Sequence, residues 1–376
     1  RCVLTTKSAS APSPTWWRCR KMLSTWALAR SVVSSLVALD AKTGRVKWHY
    51  QETPGDNWDF TATAPMILTR MPIDGQERSV VLHAPKNGFL YLIDRKTGEL
   101  LRANPIVRMN WNKGIDAKTG KPIPNPEAAD YALGPKIIFP ATPGARNWHP
   151  ASYDPASGLY FAPVQDMGNL MFMTPGAKPF VAKMLNNDSA LLFGPVIAPS
   201  LPTLPPPVAE AVRRLPAFAE VQRLPFLSEL RAIDPLTGKT RWAVPMQGWQ
   251  DRGGVLTTAA GLLFQGNLAG QLRVFDMKTG KLLKSIETGT SILAAPMTYR
   301  VGGVQYVAVM AAWGGGGYPY VPDFSAAYRR GNMGRILVFR LGGGAVPIPA
   351  ELPPLQVAPT PPAQAAGVTS ATLAQG

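Results

Sequence analysis

One short pattern recurs along this chain and limits what it can fold into: ALDAKTGRVKW from Ala38, LIDRKTGELLR from Leu92, AIDPLTGKTRW from Ala232 and VFDMKTGKLLK from Val274. In each copy an apolar strand runs into Asp. The x-x-Thr-Gly turn then supplies a side-chain hydrogen bond and a glycine able to take positive φ, and a second strand leaves. One DxxTG is an ordinary hairpin turn; four in matching apolar frames are a repeat. Spacing of this order predicts an all-β, radial architecture of the β-propeller kind, in which each repeat closes one sheet. Two copies place a Trp after the turn, Trp48 and Trp242, where it can dock on a neighbouring sheet.

Composition agrees with many short strands. Gly (35) and Pro (38) are frequent and separate runs rich in Val, Leu, Ile, Phe and Tyr, while 46% hydrophobic and 16% charged residues suffice for a large core. The net charge of +16 comes from scattered Lys and Arg with no like-charge run, and no RNP, zinc-finger or helix-turn-helix pattern is present, so a nucleic-acid partner is not expected. Cys2 and Cys19 are the only cysteines and have no CxxC, CxxCH or zinc-ligand spacing. No apolar run reaches the roughly 18 residues of a membrane span.

Residues 1–36, with Trp16, Trp17 and Trp26 crowded together, hold no strand or helix period and are left without a fold. The repeat region spans 37–345. Weaker copies lie within it: SYDPASGLYFA from Ser152 reads as strand, turn and strand, while IDAKTGKP from Ile115 is followed by Pro122 and Pro124 and is placed in a loop. Residues 174–230 break the pattern with a Pro-rich run and a short helical stretch interrupted at Pro216, and read as an insertion. Strands resume at Gly254–Gln265, Ala295–Met310 and Arg335–Leu341; residues 346–376 form a Pro/Ala-rich tail or linker.

The chemistry concentrates in YQETPGDNWDFT, from Tyr50, and HAPKNG, from His83. Asp59 stands between Trp58 and Phe60, and Lys86 lies in a turn with Asn87 and Gly88. Taken alone, Asp59 reads better as a turn-forming residue and Lys86 as an exposed hairpin lysine. Trp148 reads as core or as site lining with even weight, because a buried Trp whose N–H is satisfied is ordinary packing, and Trp249 reads equally as a Trp at the edge of a sheet. His49, His83 and His149 show no metal-ligand spacing and read as hydrogen-bonding neighbours of the motifs.

Five stretches, WHYQETPGDNWDF, HAPKNGFLYLIDR, GARNWHP, GGVLTTAAGLLFQG and APMTYRVGGVQYVAV, together resemble the C-terminal half of the propeller of pyrroloquinoline-quinone (PQQ) dependent alcohol dehydrogenases, an eight-bladed family. The resemblance implies a partial propeller of about four to five blades, locked by tryptophan-docking repeats. It implies oxidation of a primary alcohol, with a carboxylate taking the hydroxyl proton and hydride passing to PQQ polarised by a divalent cation. By motif match Asp59 is the base and lies near the ion, Lys86 holds the quinone oxygens, Asn147 contacts the cofactor through its amide, and Trp148 and Trp249 line the site. Lanthanide-using relatives carry a further Asp two residues after the base; Thr61 stands there, which implies Ca2+.

The main metal ligands and the groups that sandwich PQQ belong to the family's other half and have no match here. The resemblance therefore implies a fragment of a longer enzyme, poor at holding PQQ alone, with haem c only in a longer parent. It further implies cytochrome c or ubiquinone as electron acceptor, a periplasmic location and a possible peripheral membrane complex of the parent. The alternatives are a truncated, inactive product or a non-catalytic PQQ-like propeller scaffold, such as the outer-membrane assembly lipoproteins.

Overall fold

The computed structural model describes residues 2–5, 34–174, 189–223, 227–314 and 321–353; most of 1–36 and the tail beyond 353 lie outside them. The described chain is a succession of antiparallel sheets. In chain order they begin with β1 (Cys2–Thr5), β2 (Ser35–Leu39) and β3 (Val46–Gln51), followed by the four-stranded meander β4 (Ile67–Ile73), β5 (Gln76–His83), β6 (Phe89–Asp94) and β7 (Leu100–Pro105). Strands β8 (Asn112–Ile115) and β9 (Pro122–Pro124) pair with each other. Next come β10 (Lys136–Ile138), β11 (Ser152–Asp154), β12 (Leu159–Asp166), β13 (Asn169–Met173) and β14 (Ser189–Phe193). They are followed by β15 (Leu227–Ile233) and β16 (Thr240–Pro245). The sheet β11-β12-β15-β16 is interrupted by the separate sheet β10-β13-β14. A second meander, β17 (Val255–Thr257), β18 (Leu262–Gly266), β19 (Gln271–Asp276) and β20 (Leu282–Glu287), leads to the three-stranded sheet β21 (Met297–Val301), β22 (Val304–Ala311) and β23 (Arg335–Phe339).

Alternation along the strands shows how the sheets stack. Every residue of β6 is buried: Phe89, Tyr91 and Ile93 enter a core shared with β2 and β3, whereas Leu90 and Leu92 enter one shared with Tyr160, Ala162 and Val164 of β12. Phe161 of β12 points the other way, into a core with Leu263 of β18 and Phe275 of β19. Leu272 continues the series against Val309, Leu337 and Phe339. The inner strands β6 and β12 are thus covered on both faces, which explains why they are largely apolar, whereas β21 of the last sheet is exposed along its length.

The repeats occupy the turns between the last two strands of their sheets. Asp40 Oδ1 accepts from Lys42 N at 3.0 Å and Thr43 N at 3.1 Å, Gly44 takes φ +68°, and the other copies repeat this arrangement at Gly98, Gly238 and Gly280. The hydrogen bonds hold the exposed Asp40 carboxyl down at about 2, chiefly through Lys47 and the turn amides. The strand after each of the first three turns then meets the next turn. The Trp48 indole N–H donates to Arg95 O at 3.1 Å, Asn104 Nδ2 to Pro235 O at 2.8 Å, and the Trp242 indole N–H to Met277 O at 3.1 Å. A Cβ on Gly98 or Gly280 would lie 2.7 Å from the indole, so glycine is required there for contact as well as for φ.

This gives an internal control. Gly280→Ala should cost about 2–4 kcal/mol, from positive φ plus displacement of Trp242. Gly44→Ala, with nothing described within 4 Å of its Cβ position, should cost only about 1–2 kcal/mol. Urea midpoints in which the two variants fall together would show that the indole contact contributes nothing.

Two expectations change. IDAKTGKP is not a loop: Asp116 builds the same turn as the main repeats and β8 and β9 flank it as a hairpin. Its closing donors are Asp116 N to Lys121 O and Asn125 N to Trp111 O, both 2.8 Å, so Pro122 and Pro124 are not needed as donors. The excursion expected over 174–230 leaves its parent sheet earlier, after Asp166, and rejoins at Leu227. It contains β13 and β14, and its helices Pro206–Arg213 and Pro216–Arg223 break where Pro216 was expected to interrupt them. Ile197, Val212 and Val221 pack its helical part onto Phe139 and onto Leu170 of β13. In the region left without a fold, Cys2–Thr5 pairs with β2, which itself begins at Ser35.

Candidate active site

The segment after β3 turns sharply because Asp56 organises it. Asp56 Oδ1 accepts from Trp58 N at 3.0 Å and Phe60 N at 3.1 Å, and Oδ2 from Ser34 Oγ at 2.8 Å. Burial pushes this carboxyl upward, with those hydrogen bonds opposing. Asp56 is therefore the residue that builds this turn. Trp58 and Phe60 then point inward, packing with Trp111 at centroid distances of 5.7 and 5.9 Å, and the Trp58 indole donates to Ala129 O at 2.7 Å.

Between the two inward rings, Asp59 is turned outward. Its φ of +62° is one of three positive values at non-glycine residues among those described, a conformation that Asp tolerates better than most side chains. Lys86 reaches it from the β5–β6 turn, with Nζ 2.9 Å from Asp59 Oδ2 and 2.8 Å from Asp59 O. The lysine side chain is 9% exposed and the aspartate 56%, so an almost buried ammonium supports a carboxylate that faces solvent.

The loop 141–149 closes over Lys86. Ala145 N donates to Lys86 O at 2.9 Å, and a Cβ on Gly144 would lie 2.3 Å from that of Lys86, an approach only glycine permits. This brings the third motif to the first two. Asn147 uses its amide locally, Nδ2 donating to Pro143 O at 3.0 Å and Oδ1 accepting from Trp148 N at 2.8 Å. Trp148 stacks on His149 at 4.0 Å and forms one wall of an apolar cleft of about 460 Å³ with Leu293, Met310 and Ile336.

Trp249 joins through Gln165. Gln165 N donates to Ala145 O at 2.8 Å, its Nε2 bonds Trp249 O, and its Oε1 accepts from Arg252 Nη1 at 2.8 Å. The Trp249 ring is buried against Phe193, Ala141 and Met167 with the Arg252 guanidinium over it at 5.8 Å, so ring and carbonyl both meet the network.

Sequence reasoning did not single out Arg146, Gln165 or Arg252. All three are buried, and Arg146 donates to Pro163 O at 3.0 Å and His149 O at 2.8 Å. Burial, reinforced by Arg252 and Arg146, drives His149 well below its usual range and keeps the ring neutral. Arg146 stood inside the GARNWHP stretch; an arginine among apolar and aromatic residues was the available signal.

These residues fit a quinone rim better than a metal cage. Lys86 has three donors, two of them used on Asp59, and an ammonium in this position suits an oxygen that gains negative charge. Among the described residues no group of three or more His, Cys, Asp or Glu could hold a metal ion.

A sheet stack with this motif set defines a PQQ-type propeller oxidoreductase. The profile of the PQQ "Glucose/ethanol/alcohol dehydrogenase, beta-propeller domain" matches residues 28–110 and 101–307, and the chain belongs to this family of quinoprotein alcohol dehydrogenases. It is 41% identical over 292 residues to the quinohemoprotein alcohol dehydrogenase of Comamonas testosteroni, covering 75% of this chain and 37% of that protein. It is 36% identical over 346 residues to 1-butanol dehydrogenase (cytochrome c) of Thauera butanivorans, covering 90% and 45%. The solved structure of quinohemoprotein alcohol dehydrogenase ADHIIG from Pseudomonas putida superposes with a TM-score of 0.72 at 37% identity, covering 89% of this chain and 46% of that one. The chain thus spans less than half the length of these relatives.

Proposed function

We propose that the chain carries the base-and-lysine rim of a site that oxidises a primary alcohol to an aldehyde. The contact between Lys86 Nζ and Asp59 Oδ2 at 2.9 Å carries this reading, because it joins two motifs far apart in sequence into one acid–cation pair at the surface. PQQ, when bound, supplies the two-electron acceptor. Asp59 takes the hydroxyl proton, Lys86 orients Asp59 and offers its remaining N–H to the quinone oxygens, and Asn147, Trp148 and Trp249 border the cofactor.

Thr61 in place of an acid favours Ca2+ near Asp59, its other ligands coming from outside the described residues. The stacked sheets are blades of a partial propeller, with Trp48 and Trp242 as docking residues, and the chain is a fragment of the complete enzyme. Electrons leave to cytochrome c or a quinone in the periplasm; a haem c belongs to the longer parent. No helix among the described residues is long and apolar enough to cross a membrane.

The test fuses the chain to the part of the Pseudomonas putida relative that it does not match. PQQ and Ca2+ are titrated in by cofactor fluorescence, and ethanol-dependent dye reduction is measured. Saturable binding with turnover is expected; a folded fusion that fails to bind PQQ, or binds it without turnover, overturns the reading.

A further inference from the structure

Behind the Asp59–Lys86 pair lies a buried polar layer that makes no contact with solvent. His83 ends β5 and Glu52 follows β3, and both side chains are fully buried. His83 Nε2 lies 2.8 Å from Ala64 O. A carbonyl only accepts, so this ring nitrogen carries the proton. The other, Nδ1, meets Glu52 Oε1 at 2.6 Å.

Glu52 Oε2 is buried without a partner among the described residues, an arrangement costly for a carboxylate and tolerable for a neutral acid. Burial also pushes the Glu52 carboxyl upward, with His83 opposing. Glu52 Oε1 and His83 Nδ1 thus share one buried hydrogen bond. The backbone of the same residue is held as well: Asn87 Nδ2 donates to Glu52 O at 2.9 Å and to Thr53 Oγ1 at 3.1 Å, and Tyr91 OH donates to Glu52 O at 3.1 Å.

Glu52 and Ala64 are the two ends of the segment that carries Asp59, and a single imidazole touches both. His83 and Asn87 flank Lys86 in the chain, so the element that presents the lysine also closes the segment that presents the aspartate. We infer that His83 and Glu52 are positioning residues for the site, a buried clamp that fixes Asp59 at hydrogen-bond distance from Lys86. The catalytic meaning of the clamp rests on the alcohol-oxidising reading above, but its existence does not.

Hydrogen exchange of the full chain separates the two. His83→Phe keeps a ring and removes both hydrogen bonds; amide protection of Trp58 and Phe60 should fall by about 10-fold or more, with β5 and β6 unchanged. Glu52→Gln should keep wild-type protection, because its amide can still hydrogen-bond Nδ1, whereas Glu52→Ala should lose it. In the fusion protein, PQQ affinity should fall in H83F and be retained in E52Q. Unchanged protection of residues 53–63 in H83F, or a loss spread evenly over the chain, overturns the clamp. Should H83F not fold, E52A against E52Q decides by the same criterion. Failure of the wild-type fusion to bind PQQ would sink the functional reading and leave the exchange result standing.

Discussion

Asp59→Asn in the fusion protein should lower kcat for alcohol-dependent dye reduction by about 10²–10⁴-fold, the range for removing a positioned general base. The substitution is nearly isosteric, and Asn tolerates the left-handed backbone that residue 59 adopts at φ +62°. Its side-chain oxygen can still accept from Lys86, so geometry survives while the proton acceptor is lost. Stability should change little, because the pair is more than half exposed on the aspartate side and such ion pairs contribute weakly. PQQ affinity, measured by fluorescence titration, should stay close to wild type. A kcat within about 10-fold of wild type would remove Asp59 from the base role, since a positioned base contributes more than that.

The contrast between what the sequence predicted and what it did not follows from range. The DxxTG turns are local: Asp, Thr and Gly make their bonds within a few residues, so Asp40, Asp94, Asp234 and Asp276 could be read directly. Their sheet neighbours followed from strand alternation. IDAKTGKP was misplaced because its prolines were weighed as strand breakers without knowing which amides close that hairpin. In the site, NWDF and APKNG stood out as motifs, yet nothing local shows that Lys86 crosses 27 positions to Asp59. Gln165 was invisible for the same reason: it acts by linking Ala145, Trp249 and Arg252, which lie in loops distant from it in sequence. Trp249 was singled out for its side chain, and what range hid was its carbonyl's bond to Gln165, 84 positions away.

Trp111→Ala should be the most destabilising single substitution near the site, at about 3–5 kcal/mol for the lost ring and its cavity. Trp111 is fully buried, and its rings pack against Trp58, Phe60 and Phe89 at 5.7, 5.9 and 6.3 Å. Its indole N–H donates to Asn87 O at 2.8 Å, so truncation also strips a partner from the residue next to Lys86. Trp111→Phe separates the terms: most of the volume is kept, and about 1–2 kcal/mol should be lost with the hydrogen bond. Urea unfolding, with unchanged slope and shifted midpoint, reads both values. The local consequence is more specific than the global one. Trp58 and Phe60, which bracket Asp59, rest on the same indole, so W111A should loosen the aspartate from one side and the lysine turn from the other. Hydrogen exchange at Trp58 and Phe60 should therefore rise in W111A beyond what its lowered stability requires, while W111F should follow its own stability. Equal protection losses throughout W111A would show that Trp111 supports the fold without holding the site.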